Sequence, residues 1–317
     1  MTEKSVLSVI IVNRNTAELL VRCVQHLYSS RIGRDLQVIV VDNGSTDESV
    51  TAVRQRFPDV VVIEAGRNLG FAAANNVALR EVRAEFVLLV NTDAMLDPDC
   101  AGKLTELMES RPVVGMAGPQ LLNGDGTRQT SYEAVPTLAT ETLNRSLLKR
   151  LFPKRYPGKH RVLTEAEPVE ALIGAVMIVR RAALDNLGGF DEDYFFFLEE
   201  TDLAVRMRRA GRLVVHEPRA RAVHLQGATA KTHQAAARIE FYRSRYLFFR
   251  KHYGTRVAGI LKLAMVANLS MNVVVLGLVT ASTLGLVRSV RQRLRVRAEL
   301  WWWHLQGCPQ GPGLPRD

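Results

Sequence analysis

Apolar and polar positions alternate in blocks along the first 120 residues of this 317-residue chain. Short apolar runs rich in β-branched residues predict strands, whereas stretches with apolar side chains at helical spacing predict helices. The predicted strands lie at 6–12, 36–41, 60–64 and 86–90, and the helices at 17–29, 47–57, 72–82 and 99–110. This alternation predicts βαβ units, and the continuous apolar strands favour a mostly parallel sheet with helices on both faces.

The remainder of the chain has a less regular pattern. Residues 123–168 are rich in proline, glycine and charge, which predicts a long mobile connection. Further elements are predicted at 169–181 (strand), 199–210 (helix), 213–215 and 220–224 (strands) and 235–252 (helix). The predicted fold class is therefore α/β, with an apolar and basic helical appendage at the C-terminal end.

Positive charge is concentrated near the C-terminus. Residues 231–317 hold 14 Lys and Arg against three acidic residues, whereas residues 1–230 hold 28 basic and 29 acidic residues. A basic segment beside an apolar one favours an anionic membrane surface as partner. Because the chain has neither zinc-finger spacing nor an aromatic RNA-binding strand, we expect no nucleic-acid partner.

The cysteines and the first apolar run indicate the compartment. Cys23, Cys100 and Cys308 are far apart and odd in number, which argues against a disulfide framework and fits a reducing environment. The run at 6–12 contains Ser8 and leads into Asn-Arg-Asn, so we interpret it as a buried strand and not as a signal peptide. These features predict a cytoplasmic protein.

Four polar segments mark where a ligand is expected. In a parallel α/β sheet, ligands bind at the carboxyl ends of the strands, where segments 13–15, 42–47, 68–76 and 91–93 fall. The first turn lacks the Gly-x-Gly-x-x-Gly sequence of dinucleotide-binding dehydrogenases, and no Gly-Lys-Ser/Thr phosphate loop follows a strand. These absences argue against two common nucleotide-binding classes.

Two of these segments carry candidate groups for a nucleotide. In VDNGSTD (41–47), Asp42 ends a strand and can accept hydrogen bonds from a pyrimidine or a ribose. In NLGFAAANN (68–76), Gly70 allows close approach to a ligand, and Asn68 and Asn75 can contact a base or ribose. The alternatives are a strand-to-helix turn without a ligand and a small-residue helix packed tightly on the sheet.

The fourth segment, LLVNTD (88–93), carries candidate metal chemistry. Asn91 and Asp93 lie on the same side of an extended chain. Asp93 offers a hard oxygen ligand for Mg²⁺ or Mn²⁺, and such ions usually bind a few carboxylates together with substrate phosphates. The alternative is a capped turn into the helix that Pro98 begins.

Six segments, taken in order, resemble the inverting glycosyltransferases of family 2 with the GT-A fold. They are SVIIVNRN (8–15), VDNGSTD, NLGFAAANN, LLVNTD, IGAVMIVRR (173–181) and GGFDEDYFFFLEETDLAVRMRRAG (188–211). The resemblance covers roughly residues 5–253 and is strongest to the rhamnosyltransferase-like subgroup, which builds cell-wall linkers and surface polysaccharides. It implies transfer of a sugar, with L-rhamnose favoured, from a dTDP- or UDP-sugar to a lipid-linked or polysaccharide acceptor, assisted by Mg²⁺ or Mn²⁺.

The resemblance also implies a donor site. Asp42 would hold the nucleobase or the ribose. Further nucleotide-sugar contacts would come from Asn13, Asn68, Gly70, Asn75 and Asn91. Asp93 matches the metal-binding carboxylate of the family's Asp-x-Asp element, but Asn91 stands at the first position, which weakens a two-carboxylate site.

Catalytic roles follow from the same resemblance. Glu200 matches the general base, which would take the proton of an acceptor hydroxyl, and its neighbour Glu199 is the alternative. His224 in HLQGATA (224–230) matches a metal or diphosphate ligand. Asp202 has a structural interpretation, because Arg206 lies one helical turn later and can form an ion pair with it. The aromatic run at 194–197 is predicted as an acceptor-side wall, with core packing as the alternative.

The predicted organisation has three parts: a GT-A domain at 1–253 (nucleotide half 1–120, acceptor half 121–253), a membrane-associating helical segment at 254–303 and a disordered tail at 304–317. Residues 263–287 are 25 residues without charge, long enough to span a bilayer. A single span from a cytoplasmic domain would place the five arginines of 288–297 outside, against the positive-inside tendency. We therefore favour helices lying in the inner face of the cell membrane, with packing on the domain as the alternative.

Two other functions are compatible with parts of the pattern. A non-catalytic GT-A-like nucleotide-binding scaffold subunit is the first, and the presence of Asp93, Glu200 and His224 argues against it. A nucleotidyltransferase that makes the activated sugar is the second. Such enzymes carry a glycine-rich basic loop after the first strand, which residues 13–16 do not provide.

Overall fold

The computed structural model describes residues 7–30, 36–152, 162–225 and 234–316. Its first half alternates strands with helices as the sequence predicts, and each predicted element lies within three residues of the observed bounds. The strands are β1 (Leu7–Asn13), β2 (Leu36–Asp42), β3 (Val61–Glu64), β4 (Phe86–Asn91) and the short β5 (Ala94–Leu96). The helices are α1 (Ala17–Tyr28), α2 (Ser49–Arg56), α3 (Phe71–Leu79) and α4 (Cys100–Ser110).

After α4, the described chain up to Tyr253 contains six strands, of two to twelve residues, and five helices. The strands are β6 (Val114–Leu122), β7 (Tyr132–Glu133), β8 (Glu167–Pro168), β9 (Ala171–Leu172), β10 (Val176–Arg180) and β11 (Leu213–His224). The helices are α5 (Leu138–Thr142), α6 (Arg145–Leu151), α7 (Arg181–Asn186) and α8 (Glu199–Arg209), followed by α9 (Gln234–Tyr253).

One nine-stranded sheet joins the two halves, in the order β3-β2-β1-β4-β10-β6-β11-β5 with β8 beside β11. Neighbours among β1 to β4 are parallel, as are β6 and β11, whereas β10 is antiparallel to both of its neighbours. β7 and β9 form a separate pair. The predicted α/β class with a mostly parallel, helix-covered sheet is confirmed, and its antiparallel pairs all involve second-half strands or the short β5.

The structure departs from the sequence-based expectation at three places after α4. β6 was not predicted, because Gly115, Gly118 and Pro119 lower its strand propensity, although the strand is buried over nearly its whole length. The two short strands at 213–215 and 220–224 are one strand, β11, whose register shifts against β6 between Glu217 and Arg221. The connection at 123–168 contains β7, α5, α6 and β8, while its residues 153–161 lie outside the described ranges.

The core lies on both faces of the sheet. Val9 and Ile11 of β1 belong to the layer under α1 and α4, whereas Ile10 belongs to the layer under α3 and α8. All three side chains are at most 1% exposed. Burying an aliphatic side chain of this size contributes about 1.5–3 kcal/mol. Two apolar faces explain why these strands are continuously hydrophobic.

The C-terminal helices form a bundle. After α9, Gly254 adopts a φ of +90° and begins α10 (Thr255–Ser282), and α11 (Arg288–Leu305) packs back against both. α9, α10 and α11 share the apolar cluster of Ile239, Leu269, Leu300 and Trp303. Trp301 Nε1 donates to Ser270 Oγ at 2.8 Å. The predicted apolar and basic appendage is thus helical, whereas the predicted domain boundaries stay predictions.

α10 keeps most of its apolar surface exposed. It is the one helix of the described chain that is long and apolar enough to cross a membrane by length and composition. Its most apolar 18-residue window has a mean hydropathy of 1.9 and is only 11% buried. The tail predicted as disordered at 304–317 starts within α11, and residues 306–316 form neither helix nor strand.

Candidate active site

The predicted ligand edge begins where β1 and β2 end side by side. Asn13 is paired with Asp42 in the strand register, and its Nδ2 donates to Asp42 Oδ1 at 3.2 Å. Thr16 Oγ1 donates to Asn13 Oδ1 at 2.7 Å, and the Ser45 amide donates to Asp42 Oδ2 at 3.0 Å. Both predicted residues are nearly buried. Asn13 therefore orients Asp42 and fixes the turn that follows it.

A second contact joins this turn to the loop before α3. Asn43 Nδ2 donates to Asn68 Oδ1 at 3.0 Å, and Asn43 Oδ1 accepts the Leu69 amide at 2.7 Å. A Cβ on Gly44 would lie 2.8 Å from the Arg67 carbonyl carbon, so the two segments approach as closely as glycine permits. Asn43 lies inside VDNGSTD, where it was predicted as part of a tight turn and not as a site residue.

Gly70 links the predicted nucleotide half (1–120, the donor half) to the predicted acceptor half (121–253). Its φ is +84°, and a Cβ there would collide with the Phe195 carbonyl oxygen. The same oxygen accepts the Phe71 amide at 2.8 Å. Close packing against Phe195 therefore explains why a glycine is required at position 70. This explanation is independent of the ligand contact predicted for Gly70.

The adjacent asparagines of α3 have different positions. Asn75, a predicted ligand residue, is 1% exposed, and its amide donates to the Phe71 carbonyl of its own helix at 2.8 Å. Asn76, which was not predicted, exchanges two hydrogen bonds with the Phe190 backbone at 2.8 and 2.9 Å. Asn76 therefore fixes α3 against the turn that leads to the glutamate pair.

Asp93 and His224 come together across two strands. His224, the last residue of β11, pairs with Ala94 of β5, so its side chain lies beside Asp93. His224 Nε2 is 3.4 Å from Asp93 Oδ1, and both side chains are mostly buried, at 12% and 16% exposed. The other ring nitrogen, Nδ1, lies 2.7 Å from Gln129 Oε1. Asn91 ends β4 nearby in the chain, and its backbone N–H donates to the Ala175 carbonyl at 2.9 Å.

This pair fits a divalent cation. Two donors bound to one octahedral Mg²⁺ at about 2.1 Å lie about 3 Å apart, close to the observed separation. Gln129 Nε2 donates to the His224 carbonyl at 3.1 Å, so its Oε1 faces Nδ1 as an acceptor. The proton of His224 then sits on Nδ1, and the Nε2 lone pair faces Asp93, an arrangement typical of metal-ligating histidines. Gln129 was missed in the sequence because the connection around it has no periodic pattern.

The protein would supply only part of the coordination. No group of three or more His, Cys, Asp and Glu side chains that could hold a metal ion occurs within the described ranges. A cation at Asp93 and His224 would therefore depend on substrate phosphates and water for its remaining ligands. The segment predicted beside it, HLQGATA, lies outside the described residues from 226 to 230.

The glutamate pair opens α8 under backbone strain. Phe197 and Leu198 precede it with φ values of +74° and +65°, which non-glycine residues rarely adopt. Glu199 is 6% exposed, and its Oε2 has no hydrogen-bond partner within the described structure. A Cβ on Gly174 would stand 3.4 Å from Glu200 Cγ, so the chain before β10 forms a wall of that side chain. Strain held at such a place is typical of functional sites.

The environment of the pair favours the protonated forms. Burial, together with the charge of Glu133 on β7, raises the pKa of Glu200 from 4.5 to about 7. Burial and the charge of Glu200 raise the pKa of Glu199 well above its usual value. The N-terminus of α8 opposes part of this effect. Glu200 is therefore poised to gain and lose a proton near neutral pH, as a general base requires.

The next carboxylate, Asp202, is structural. Its Oδ2 accepts Arg206 Nε at 2.6 Å, which confirms the predicted ion pair, and His252 Nε2 lies 2.8 Å from its Oδ1. Burial alone would raise the pKa of Asp202, but the hydrogen bonds from His252 and Arg206 outweigh it and the pKa is lowered. This network connects α9 to α8.

The aromatic run at 194–197 was predicted as an acceptor-side wall, with core packing as the alternative. Tyr194 and Phe195 are buried, as the core-packing alternative predicts.

Solved structures share this fold. The mannosyltransferase PcManGT of Pyrobaculum calidifontis, solved with GDP-Man and Mn²⁺, aligns with a TM-score of 0.58 over 97% of this chain and 88% of its own, at 19% identity. TarS 1–349 of S. aureus, solved with UDP-GlcNAc, aligns with a TM-score of 0.53 over 77% of this chain and 65% of its own, at 18% identity. The architecture is therefore the GT-A fold.

Sequence comparison identifies the family. Residues 8–188 match the model of glycosyl transferase family 2, and the chain therefore belongs to this family of enzymes. N-acetylglucosaminyl-diphospho-decaprenol L-rhamnosyltransferase of Mycobacterium tuberculosis is 29% identical over 238 residues, covering 70% of this chain and 77% of the relative. The low-salt glycan biosynthesis hexosyltransferase Agl10 of Haloferax volcanii is 29% identical over 211 residues, covering 64% and 62%. The predicted resemblance to rhamnosyltransferase-like family 2 enzymes is confirmed.

Proposed function

We propose that this enzyme is an inverting glycosyltransferase that moves L-rhamnose from a nucleoside-diphosphate donor, dTDP- or UDP-linked, to a lipid-linked acceptor in cell-wall or surface-polysaccharide synthesis. The observation that carries the proposal is the pairing of Asp93 with His224 on the sheet edge that also presents Asp42. The choice of sugar and acceptor rests on the relative whose name specifies L-rhamnose and a diphospho-decaprenol substrate.

The donor would lie along the strand ends. Asp42 would accept hydrogen bonds from the base or the ribose, held in place by Asn13. Asn68 and Asn91 would contact the nucleotide sugar on either side. Gly70 and Asn75 would support the donor site without contacting the donor, since each takes part in the packing of α3.

Divalent metal would assist at Asp93 and His224. Mg²⁺ or Mn²⁺, when bound, would neutralise charge on the diphosphate. Two of the solved glycosyltransferases with this fold were crystallised with Mn²⁺, which supports a metal requirement. Asn91 in place of a carboxylate leaves Asp93 as the anionic ligand of this element.

Glu200 would perform the proton transfer. The acceptor hydroxyl oxygen attacks the anomeric carbon while the bond from that carbon to the diphosphate oxygen breaks, and the electron pair leaves with the nucleoside diphosphate. Glu200 takes the hydroxyl proton. A single displacement from the face opposite the leaving group inverts the anomeric configuration. Glu199, whose Oε2 is buried, is the alternative base.

The acceptor implies a location. A lipid-linked acceptor requires the site to lie near a bilayer, and nucleotide sugars are met on the cytoplasmic side. We infer that the chain works at the inner face of the cell membrane, and the exposed apolar surface of α10 supports this location.

The test is donor hydrolysis and transfer by the purified full chain. A panel of nucleotide sugars with Mn²⁺ would be compared with and without a synthetic N-acetylglucosaminyl-diphospho-polyprenol. We expect one donor, dTDP-L-rhamnose, to give a product of inverted configuration by NMR. Glu200→Gln should lower transfer about 10²–10⁴-fold, whereas Glu109→Gln, on the exposed end of α4, should leave it unchanged.

Two other outcomes would contradict the proposal. Transfer of a different sugar would overturn the choice of L-rhamnose while keeping the reaction class. Nucleotide binding without any turnover, unchanged by Glu200→Gln, would favour a nucleotide-binding scaffold subunit instead.

A further inference from the structure

A basic cavity lies between the three C-terminal helices, apart from the strand-end site. It has a volume of about 510 Å³. Its charged lining consists of Arg238 from α9 with Arg293 and Arg297 from α11. Asn272 of α10 and Gln292 of α11 add side-chain amides to the lining. No acidic side chain takes part.

The helical periodicity explains why these arginines converge. Arg293 and Arg297 lie one turn apart on α11 and therefore share a face, which is the face turned toward Asn272 on α10. Arg295 lies on a different face, where its Nε bonds Glu299 Oε1 at 2.9 Å. Of these three arginines of α11, Arg295 is paired with a carboxylate, whereas Arg293 and Arg297 line the cavity.

The three lining arginines have no protein counter-ion within the described ranges. Other arginines of the same bundle do: Arg243 and Arg316 bind Glu240, and Arg245 binds Glu141. Guanidinium groups that converge without a carboxylate leave a concentrated positive potential and free N–H donors. Phosphate oxygens are the acceptors that best match such groups.

Apolar side chains are exposed on α10 and in the turn before α11, the segments that contribute to the cavity lining or adjoin it in the chain. Met271 and Leu278 of α10 are 65% and 67% exposed, and Leu284 and Leu286, in the turn before α11, are 85% and 81% exposed. An exposed apolar surface and a basic cavity on the same helices match the two parts of a membrane lipid, since a lipid chain can lie on the apolar surface while a phosphate head group enters the cavity.

We propose that Arg238, Arg293 and Arg297 form a binding site for the phosphate of a membrane lipid. The lipid is either an anionic phospholipid of the bilayer or a phosphorylated polyprenol, the class to which the acceptor belongs under the proposed function. The site holds the enzyme at the membrane through a specific contact, in addition to the diffuse attraction of its basic surface.

The experiment is vesicle sedimentation of the full chain with Arg293→Gln/Arg297→Gln. The matched control is Arg288→Gln/Arg291→Gln, which removes the same charge from the same helix outside the cavity lining. Vesicles would contain phosphatidylcholine alone, with phosphatidylglycerol, or with polyprenyl phosphate. We expect the cavity pair to lose about tenfold more binding than the control pair, because charge-assisted hydrogen bonds add to diffuse attraction. Circular dichroism would verify that both variants fold.

Each outcome bears on the proposal. A larger loss on phosphatidylglycerol vesicles identifies a bilayer lipid, and a larger loss only on polyprenyl phosphate vesicles identifies the acceptor lipid. Equal losses in the two pairs would overturn the site and leave a diffuse basic surface. Because binding is measured without a donor sugar, a negative result here is separable from failure of the proposed transfer reaction.

Discussion

His224 Nε2 lies 3.4 Å from Asp93 Oδ1, although the two residues are far apart in the chain. The contact exists because β5 returns antiparallel to β11 and sets Ala94 against His224. Gln129, from the connection after β6, closes the arrangement by accepting from the other ring nitrogen. Three segments of the acceptor and donor halves thus meet at one imidazole.

The first prediction concerns metal affinity. Removing the imidazole in His224→Ala should weaken Mn²⁺ binding in the presence of a nucleoside diphosphate. Gln129→Leu should weaken it about 10–100-fold, the usual effect of losing the partner that orients a ligating histidine. Free Mn²⁺ measured by electron paramagnetic resonance reports both.

The control for this series is His26→Ala, which removes an exposed imidazole from α1. It should bind Mn²⁺ like the unmodified enzyme. If His224→Ala also does so, His224 is not a metal ligand, and its contact with Asp93 is an ordinary hydrogen-bonded pair.

The second prediction concerns the pH profile. Because the pKa of Glu200 is about 7, kcat/KM should rise with pH up to neutrality and then level off. Glu200→Gln should lower kcat about 10²–10⁴-fold. Glu133→Gln should move the rising limb to lower pH, because it removes the neighbouring charge that disfavours ionised Glu200. A greater loss of activity in Glu199→Gln than in Glu200→Gln would reverse the assignment of the base.

The third prediction concerns stability against pH. The folded-state pKa of Glu199 is raised, so the stability associated with its protonated form is complete below the unfolded value of 4.5 and is lost as pH rises through the folded value. Glu199→Gln keeps the neutral form at every pH. Relative to the unmodified protein, the variant should therefore have a higher free energy of unfolding at about pH 8 than at about pH 5. Urea unfolding at the two pH values measures this, and an equal difference at both would contradict it.

The fourth prediction compares two glycines that both have positive φ but differ in the space around them. Gly70 and Gly66 both have positive φ, at +84° and +70°, but a Cβ meets Phe195 only at Gly70 and meets nothing within 4 Å at Gly66. Gly66→Ala should lower the free energy of unfolding by about 1 kcal/mol, because an alanine is strained at positive φ. Gly70→Ala should lower the free energy of unfolding by about 1–3 kcal/mol more, because overpacking is added and because the ψ of Gly70, 173°, lies in a region that is essentially restricted to glycine. Similar melting temperatures for the two variants would mean that the Phe195 segment moves freely.

Sequence reasoning predicted the donor half well because one physical signal dominates there. Strands such as β1 are buried on both faces, so their hydrophobic runs are continuous, and their polar ends at Asn13 and Asp42 stand out. It missed β6 for the opposite reason. Gly118 occurs there because Leu172 would lie 3.1 Å from any Cβ, and that neighbour comes from a distant strand.

The supporting residues of the site were equally inaccessible from local pattern. Gln129 and Asn76 act through partners in distant parts of the chain, His224 and Phe190. Neither spacing nor composition distinguishes them in the sequence from other amide side chains. The resemblance to family 2 supplied Glu200 and His224, but it did not supply the residues that orient them.

The last prediction concerns the C-terminal tail, which sequence analysis treated as disordered. The Pro315 carbonyl accepts Asn68 Nδ2 at 2.7 Å, and the Arg316 guanidinium stacks 4.4 Å from the Phe195 ring centre while bonding Glu240. The tail therefore occupies an amide that the donor is expected to use. Deleting residues 314–317 should tighten nucleotide-sugar binding, by about fivefold for one hydrogen bond released.

A matched variant separates competition from stability. Arg316→Ala removes the stacking and the ion pair but keeps the Pro315 carbonyl, so it should tighten donor binding less than the deletion does. Glu240 retains Arg243 in both cases, at 3.0 Å, which limits the loss of stability. Isothermal titration with the nucleotide sugar measures the difference. Weaker donor binding after deletion would mean that the tail completes the donor site, because Arg316 would then contribute its positive charge to the diphosphate.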